Sequence, residues 1–455
     1  MGRSIFTKVK RISDLSEDDD DDDLHSGGGS HLHETAEKPT RAYVLHADLK
    51  TAKKRRLAEH GLAEAVALAA ALPGLQVIGA EVVRLNKVQP GTLFGSGKVA
   101  ELQARFKADE IDLVLVDGVV GPVQQRNLEK EWGVKLLDRT GLILEIFADR
   151  ARTREGVLQV ELAALSYQRT RLVRAWTHLE RQRGGFGFVG GPGETQIESD
   201  RRAIDDQVIR LKRQLERVGK TRELHRASRR KVPFPLVALV GYTNAGKSTL
   251  FNLMTGADVL AKDMLFATLD PTMRGIVLPS GRKIIASDTV GFISDLPTQL
   301  VAAFRATLEE VLEADLIAHV RDISHPETAE QAADVADILA ALGVAAGVPV
   351  VEVWNKLDLV DAGQRHALIA QAETRAGVFP ISAVTGEGVD RLLAAISAQF
   401  DEMKRRDSLD ISFAAGKKHA WLHAEGVVRS EVQGDDGWQV MVEWTERQAQ
   451  RYADL

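Results

Sequence analysis

From about Arg41, short apolar runs alternate with amphipathic stretches along the chain. The runs RAYVLHADL, QVIGAEVVRL, DLVLVDGVV and LILEIFADR are apolar and rich in β-branched residues, and they predict strands. LAEAVALAAAL and KVAELQARFKADE carry apolar residues at helical spacing. Because strands that alternate with helices favour a parallel sheet, residues 41–150 are predicted to form an N-terminal α/β domain.

The pattern changes in residues 151–231, where apolar residues recur at spacings of four and three. Between two such segments lies GGFGFVGGPGETQ, whose glycines and proline cannot continue a helix. This arrangement predicts an antiparallel helical hairpin with a glycine-rich tip. Its apolar positions are Leu158, Leu162, Leu165, Leu172, Trp176 and Leu179, followed by Ile204, Val208, Leu211, Leu215 and Val218.

After VPFP, residues 236–400 return to alternating strands and helices. LVALVGY, KIIASDT, DLIAHVRDI, VPVVEVW and GVFPIS predict the strands of a doubly wound, mostly parallel sheet. In WQVMVEW apolar residues alternate, and DDG before it is a turn signal, so residues 408–455 are predicted to form a small β-containing C-terminal module. The expected fold class is therefore α/β, with four structured parts.

Composition narrows the class of protein. The chain has 455 residues, of which 44% are hydrophobic and 27% charged, as in soluble globular proteins. It contains no cysteine, which excludes disulfides and thiolate metal sites and fits a cytoplasmic location. No apolar run reaches the ~18 residues that span a bilayer, so any membrane contact is expected at the surface only. A monomer is the default, since the heptad pattern is confined to the hairpin.

Charge is unevenly distributed around a net value of −6. Residues 17–23 are uninterrupted acid followed by SGGGS, which predicts a disordered acidic tail over residues 1–40. Residues 152–231 reverse the sign, with 19 Lys and Arg against 10 Asp and Glu, a surplus of nine. This surplus favours contact with nucleic acid over the alternative of a merely solvated helix surface.

The sequence GYTNAGKST follows the strand LVALV and precedes a helical run, and it matches the phosphate-binding P-loop pattern. Backbone N–H groups of such a loop surround phosphate oxygens, Lys247 neutralises the β- and γ-phosphate charge, and the Ser248 hydroxyl coordinates Mg²⁺. The remaining loop residues expected at the nucleotide are Gly241, Tyr242, Thr243, Asn244, Ala245 and Gly246.

Downstream motifs follow in the order that a nucleotide switch requires. Asp288 ends a predicted strand and would hold Mg²⁺ through water, while Gly291 would offer its N–H to the γ-phosphate. In FATLDPT, either Thr268 or Thr272 could supply the switch hydroxyl on Mg²⁺, and chain geometry alone does not choose between them. Further expected nucleotide contacts are Phe266, Ala267, Leu269, Asp270, Thr289 and Val290.

The motif NKLD predicts which base is recognised. The Asp358 carboxylate can accept two hydrogen bonds from the N1–H and N2 amino groups of guanine, whereas adenine would leave a buried carboxylate unpaired. Asn355, Lys356 and Leu357 precede it, and Ser382, Ala383 and Val384 would close over the base. Four motifs in order, each at a strand end, predict a GTPase.

Phe292 stands where many such enzymes carry a glutamine that orients the attacking water. Its ring cannot hold a water. The enzyme is therefore expected either to be slow, or to receive the missing group from a partner, or to use another group of its own P-loop. No internal arginine finger can be assigned from the sequence.

The motifs GYTNAGKSTLFN, FATLDPT, DTVGFI and NKLD, together with GGPGETQIESDRR, resemble the HflX family of ribosome-associated GTPases. The resemblance runs from about Arg41 to Phe400 and toward the C-terminus. It implies GTP and GDP as ligands, Thr268 and Ser248 as Mg²⁺ ligands, and a ribosome-stimulated reaction. The P-loop asparagine is similar to that of several translation-type GTPases, in which it helps to hold K⁺. The expected catalytic residues are thus Lys247, Asn244, Thr268 and Gly291.

The resemblance further implies binding to the large ribosomal subunit and its RNA, and separation of stalled or idle ribosomes, especially under stress. The tip at residues 184–193 would then reach toward the peptidyl-transferase region, with Phe186 and Phe188 either stacking on bases or packing on the hairpin. The alternatives are an assembly or regulatory switch, and an ATP-dependent RNA remodeller using the N-terminal region. In that region FGSGK is too short for a P-loop, and a tight turn is the simpler interpretation.

Overall fold

The computed structural model describes residues 38–49, 56–182, 199, 201–218, 234–257, 265–269, 271–294, 310–344, 347–402, 404–434 and 436–453. Three expectations lie outside these residues: most of the acidic tail, the glycine-rich tip with Phe186 and Phe188, and Asp270.

The N-terminal part is a four-stranded, fully parallel sheet with the strand order β2-β1-β3-β4. Helices connect consecutive strands, as the alternating pattern predicts. The elements are β1 (Thr40–Leu49), α1 (Ala58–Ala70), β2 (Leu75–Leu85), α2 (Ser96–Ala108), β3 (Leu113–Asp117), α3 (Pro122–Trp132), β4 (Lys135–Asp138) and α4 (Arg139–Arg150).

The prediction of a strand at LILEIFADR is wrong, because this segment is helix α4. The strand is instead the preceding KLLD, β4, and Asp138 ends it. The Asp138 carboxylate accepts a hydrogen bond from the N–H of Gly141 at 2.8 Å, which caps the first turn of the helix. Residues on every side of α4 are buried, so its apolar run has no polar face to reveal a helical period.

Two long helices follow. Helix α5 (Arg154–Gln182) packs its first half on α4, and helix α6 spans residues 201–218. The Arg169 guanidinium joins the Asp205 carboxylate at 2.7 Å, so the two helices lie side by side at this point.

The second sheet has six strands in the order β10-β9-β8-β5-β7-β6, and only the edge strand β6 is antiparallel to its neighbour. This confirms the doubly wound, mostly parallel sheet, although β6 was not among the predicted strands. The elements are β5 (Leu236–Gly241), α7 (Lys247–Thr255), β6 (Thr272–Val277), β7 (Lys283–Asp288), β8 (Leu316–Asp322), α8 (Thr328–Leu342), β9 (Val350–Asn355), α9 (Ala362–Glu373), β10 (Val378–Pro380) and α10 (Val389–Glu402).

The C-terminal part is an antiparallel sheet with the order β11-β13-β12 and one helix on either side of the hairpin β12–β13 in sequence. It has a small core of its own, which includes Leu422, Val440 and Val442. The elements are β11 (Lys404–Ser412), α11 (Gly416–Ala424), β12 (Val428–Gln433), β13 (Gly437–Thr445) and α12 (Glu446–Ala453).

One hydrophobic core is shared by the N-terminal sheet and the six-stranded sheet. Phe147 of α4 meets the Phe266 ring edge to face, with the ring centroids 4.8 Å apart. Tyr242 and Phe292 are buried in the same cluster. The nucleotide-binding motifs therefore pack directly on the N-terminal domain. Within the described part of the chain, no helix combines the length and apolar character that a membrane crossing needs.

Candidate GTP site

The phosphate-binding loop joins β5 to α7, where the carboxyl ends of β5, β7 and β9 meet. Gly246 begins the helix with a left-handed φ of 89°. A Cβ on this residue would lie 2.2 Å from Nδ2 of Asn355, so only glycine fits. The loop, Ser248, Phe266–Thr268, Thr289 and Gly291 line one pocket.

Lys247 is buried beneath this loop. Its Nζ donates to the backbone oxygens of Gly241 at 3.2 Å and Tyr242 at 2.9 Å. Burial lowers the pKa of Lys247 to about 8, and the nearby Asp288 carboxylate offsets this only in part. A Cβ on Gly291 would lie 3.0 Å from that Nζ, so the backbone of the switch approaches the ammonium closely. A bound phosphate would supply the anion that this cation lacks.

Three oxygen groups meet beside the loop. The Ser248 and Thr268 hydroxyl oxygens are 2.7 Å apart, and they donate to Oδ2 of Asp288 at 2.7 and 2.9 Å. Oδ1 of Asp288 is buried and accepts no hydrogen bond from the described residues. Burial raises the pKa of Asp288, although both hydroxyls and Lys247 oppose the rise.

These oxygens fit a magnesium ion. Mg²⁺ prefers hard oxygen ligands, and an orphaned carboxylate oxygen is what such an ion or its water would satisfy. The alternative, Thr272, begins β6, where it pairs with Asp288 along the strand ladder, and the structure instead brings Thr268 to Ser248. Chain folding thus distinguishes two threonines that spacing could not.

The residues expected to recognise the base lie beside Ala245 of the P-loop. Nδ2 of Asn355 donates to Ala245 O at 2.8 Å, and its Oδ1 accepts from Ala383 N–H at 2.9 Å. One buried amide therefore ties the P-loop to the Ser382–Val384 segment. Ser382 Oγ donates to Asp358 at 2.6 Å. Asp358 is exposed, so the buried carboxylate assumed from the sequence requires a base to cover it.

Other residues that were expected at the nucleotide make contacts within the protein or lie in its core. The Thr289 hydroxyl donates to Leu239 O at 2.6 Å, and the Lys356 ammonium pairs with Asp322 at 2.8 Å. Leu269, Val290 and Leu357 are buried, whereas Val384 is 75% exposed. Asn244 is exposed at the pocket with a left-handed φ of 58°.

Phe292 points away from the pocket. Its N–H donates to Gly241 O at 3.1 Å and its carbonyl accepts from Thr243 N–H at 2.7 Å, which ties the switch to the P-loop. The ring is only 1% exposed and lies in the core shared with the N-terminal domain. The residue in the glutamine position therefore has a packing role in this chain.

A charged network beside the P-loop was missed by sequence reasoning. The Glu64 carboxylate of α1 forms ion pairs with Arg139 at 2.6 Å and with Arg56 at 2.9 Å. The Arg56 guanidinium also pairs with Glu327 at 2.7 Å. The Tyr242 hydroxyl donates to Glu64 and accepts from Ser294 N–H at 2.9 Å. The network thus connects the N-terminal domain to the P-loop and the switch. No sequence signal identifies it, since these residues are far apart in the chain.

Two further expectations concern cationic residues. Lys98 of FGSGK pairs with Glu81 at 2.9 Å and Glu101 at 2.8 Å, so its charge is satisfied within the domain. On α6, the apolar heptad positions are half-buried and the basic side chains are exposed. These exposed residues are Arg201, Arg202, Arg210, Lys212, Arg213 and Arg217.

Four family models match the chain in order. They are described as GTP-binding GTPase N-terminal (residues 59–148), GTP-binding GTPase Middle Region (150–229), 50S ribosome-binding GTPase (236–356) and HflX C-terminal domain (367–453).

Full-length relatives agree. A "GTPase HflX" from Magnetococcus marinus is 49% identical and covers 90% of this chain and 94% of its own. The "GTPase HflX" from Escherichia coli K12 is 42% identical over 82% and 86% of the two chains. A GTP-binding protein from Sulfolobus solfataricus, solved with GDP, matches at 24% identity over 79% and 98%, with a TM-score of 0.43.

The likeness extends over nearly the whole chain, not the nucleotide motifs alone. It confirms the predicted enzyme class, a hydrolase that converts GTP to GDP and phosphate. The chain belongs to the HflX family of GTPases.

Proposed function

We propose that this GTPase binds the large ribosomal subunit in its GTP state and promotes the separation of stalled or idle ribosomes. The proposal rests mainly on the row of exposed Arg and Lys side chains on α6, a helix that is joined to α5 by the Arg169–Asp205 ion pair. Rigid RNA is recognised through its phosphates and its shape, which requires cations on a firm scaffold. The description of the model matching residues 236–356 names the same particle.

The proposed division of labour follows the four structured parts. Residues 41–150 hold the GTPase domain (236–400) through the shared core, residues 151–231 contact ribosomal RNA, and residues 408–455 form a separate module. GTP and Mg²⁺ would bind beside the Thr268 segment, which packs on that shared core through Phe266.

Within the GTP site we assign roles to individual side chains. Lys247 neutralises the β- and γ-phosphates, the Gly291 N–H binds the γ-phosphate, and Asn355 and Asp358 select guanine. Ser248 and Thr268 would hold Mg²⁺ directly and Asp288 through water. When bound, the ion neutralises charge that develops on the transferring phosphate. Because Phe292 faces the core, we infer that the group that orients water is supplied by the ribosome, in keeping with the resemblance to ribosome-stimulated GTPases.

The ribosome proposal is tested by sedimentation of intact ribosomes with the protein and a non-hydrolysable GTP analogue. Separate subunits are expected. The double variant Arg210→Glu, Arg213→Glu should lose binding, since it reverses two exposed charges of α6. A matched control, Lys107→Glu with Arg375→Glu, reverses two exposed charges elsewhere and should retain binding. Binding only to immature particles would indicate an assembly role instead.

Asn244 is proposed to help K⁺ spread positive charge over the transferring phosphate. Turnover should then be faster in K⁺ than in Na⁺ for the wild type, and equal in both salts for Asn244→Ala. Equal wild-type rates in the two salts, with and without ribosomes, would contradict this role.

A further inference from the structure

A cluster of imidazole and carboxylate groups lies in the C-terminal module, outside the GTP site. His419 and His423 are one turn apart on α11 and therefore share one face of the helix. Glu431 on the neighbouring strand β12 faces both: its Oε1 lies 2.9 Å from Nε2 of His419 and its Oε2 lies 2.7 Å from Nε2 of His423.

Aromatic packing fixes part of this cluster in advance. The His419 ring stacks on the Trp438 indole with centroids 4.0 Å apart and planes 10° apart. Phe413 packs edge to face against the same indole. The His419 side chain is 19% exposed and Glu431 25%, whereas His423 is 49% exposed. His419 is thus held by its packing, and His423 can be reached from solvent.

The donor set and its spacing point to a metal ion. One ligand atom from each residue lies within 4.8 Å of the other two. Tetrahedral Zn²⁺ with bonds of about 2.0–2.2 Å needs donors roughly 3.3–3.5 Å apart. The two N···O pairs must open by about 0.5–0.7 Å to reach that spacing, and a pair near the 4.8 Å limit must close by about 1.4 Å. We expect rotation of the His423 and Glu431 side chains to provide these shifts.

The chemistry of the donors selects the class of ion. Neutral imidazole nitrogen with one carboxylate suits Zn²⁺ and its first-row neighbours, whereas Mg²⁺ and Ca²⁺ prefer oxygen alone. Three protein ligands leave one position for water or an incoming group. The competing interpretation is a pair of His–Glu ion pairs without metal.

We propose that His419, His423 and Glu431 form a Zn²⁺ site that fastens α11 to β12. The module is small, with a core of a few buried residues around Leu422, Val440 and Val442. Small modules of this kind gain stability from a cross-link between elements. The site is separate from the Mg²⁺ position at Ser248 and differs from it in ligand chemistry.

The test uses the full chain stripped of metal with a chelator. The chain has 12 histidines, so total zinc uptake does not identify the site. The test is therefore the difference in zinc uptake between variants. Calorimetric titration with zinc chloride should show one more equivalent in the wild type than in His423→Ala. The control His366→Ala removes an exposed helical histidine of the GTPase domain and should keep that equivalent. Glu431→Gln should weaken binding at least about tenfold.

Cobalt provides an independent readout on the same proteins. Co²⁺ in a low-coordinate nitrogen and oxygen site absorbs visible light far more strongly than the hydrated ion, and this band should vanish in His423→Ala and persist in His366→Ala. Thermal unfolding followed by tryptophan fluorescence shows whether the module, which contains Trp421, Trp438 and Trp444, is folded in each variant, and GDP affinity reports the same for the GTPase domain. Equal zinc stoichiometry and affinity in wild type and His423→Ala would overturn the proposal and leave an ion-pair cluster.

Discussion

The ammonium of Lys247 is buried and donates to two backbone oxygens, and its burial predicts a pH dependence of nucleotide binding. With a pKa of about 8 in the free protein, the side chain is charged below that pH. Bound phosphate stabilises the charged form and raises its pKa, so binding takes up a proton above pH 8.

GDP affinity should therefore be constant from pH 7 to about 8 and fall by up to roughly tenfold per unit at higher pH. Titration with a fluorescent GDP analogue checks this. In Lys247→Arg the guanidinium stays charged throughout, so its profile should be flat whatever its absolute affinity. If the GDP affinity of the wild type did not change with pH, the nucleotide phosphates would not contact the Lys247 ammonium.

Asp358 offers a second prediction at this scale. Asp358→Asn replaces an acceptor with an amide that can donate to the C2 carbonyl of xanthine, so xanthine nucleotides should bind more tightly than guanine nucleotides. Competition binding with GDP and XDP measures the switch. The matched change Asp361→Asn alters a nearby exposed residue that caps α9, and Asn caps equally well, so GDP preference should persist.

At the scale of elements, α4 is held by a buried charge. Arg139 is 8% exposed and pairs with Glu64 and Asp117, each at 2.6 Å. Arg139→Met removes the cation that these two buried carboxylates share, leaving Arg56 beside Glu64 and His46 beside Asp117, and should lower the free energy of unfolding by about 3–5 kcal/mol. Denaturant unfolding measures this. A loss below ~1 kcal/mol would mean that water already screens the pair.

The same network makes an acid-dependent contribution. Burial opposes ionisation of Glu64 and Asp117, yet Arg139, with Arg56 and His46, holds the pKa of each carboxyl below its ordinary value. Their stabilisation is thus present above the unfolded pKa of about 4 and is lost as the pH falls through the folded value. Arg139→Met should flatten this part of the stability profile.

Sequence periodicity predicted most elements, and its failures have physical causes. KLLD is too short, and α4 too evenly apolar, to show the strand–helix boundary at Asp138, which a capping carboxylate defines. The GTP-binding motifs could be predicted because each is a short contiguous sequence at the end of a strand. The Glu64, Arg56, Tyr242 and Ser294 contacts could not, because they form between segments up to 238 residues apart.

At the scale of the whole molecule, Tyr242 connects two domains from within the P-loop. Its hydroxyl contacts Glu64, Arg56 and Ser294, whereas its backbone oxygen accepts from Lys247 of the P-loop. Tyr242→Phe should therefore increase hydrogen exchange at α1 and at residues 291–294 while changing GDP affinity by less than about threefold. Mass spectrometry of exchanged peptides measures the first effect.

Tyr167→Phe is the matched control. Tyr167 is also buried and donates to a carboxylate, Asp138, at 2.6 Å, with Arg171 beside it. All three residues lie outside the GTPase domain. Tyr167→Phe should therefore lower the free energy of unfolding by a similar amount, about 1–3 kcal/mol, without altering hydrogen exchange at residues 291–294. If hydrogen exchange at residues 291–294 were equal in the two variants, the Tyr242 hydroxyl would not connect the two domains.

The burial of Phe292 limits how this enzyme could be re-engineered. A glutamine introduced there would insert an amide into the hydrophobic cluster that contains Phe266 and Phe147, where burial without hydrogen-bond partners is costly. Substitution of this one residue is therefore not expected to install a water-orienting amide at the GTP site. If a partner supplies the water-orienting group, as proposed, the moment of hydrolysis is set by when that partner binds.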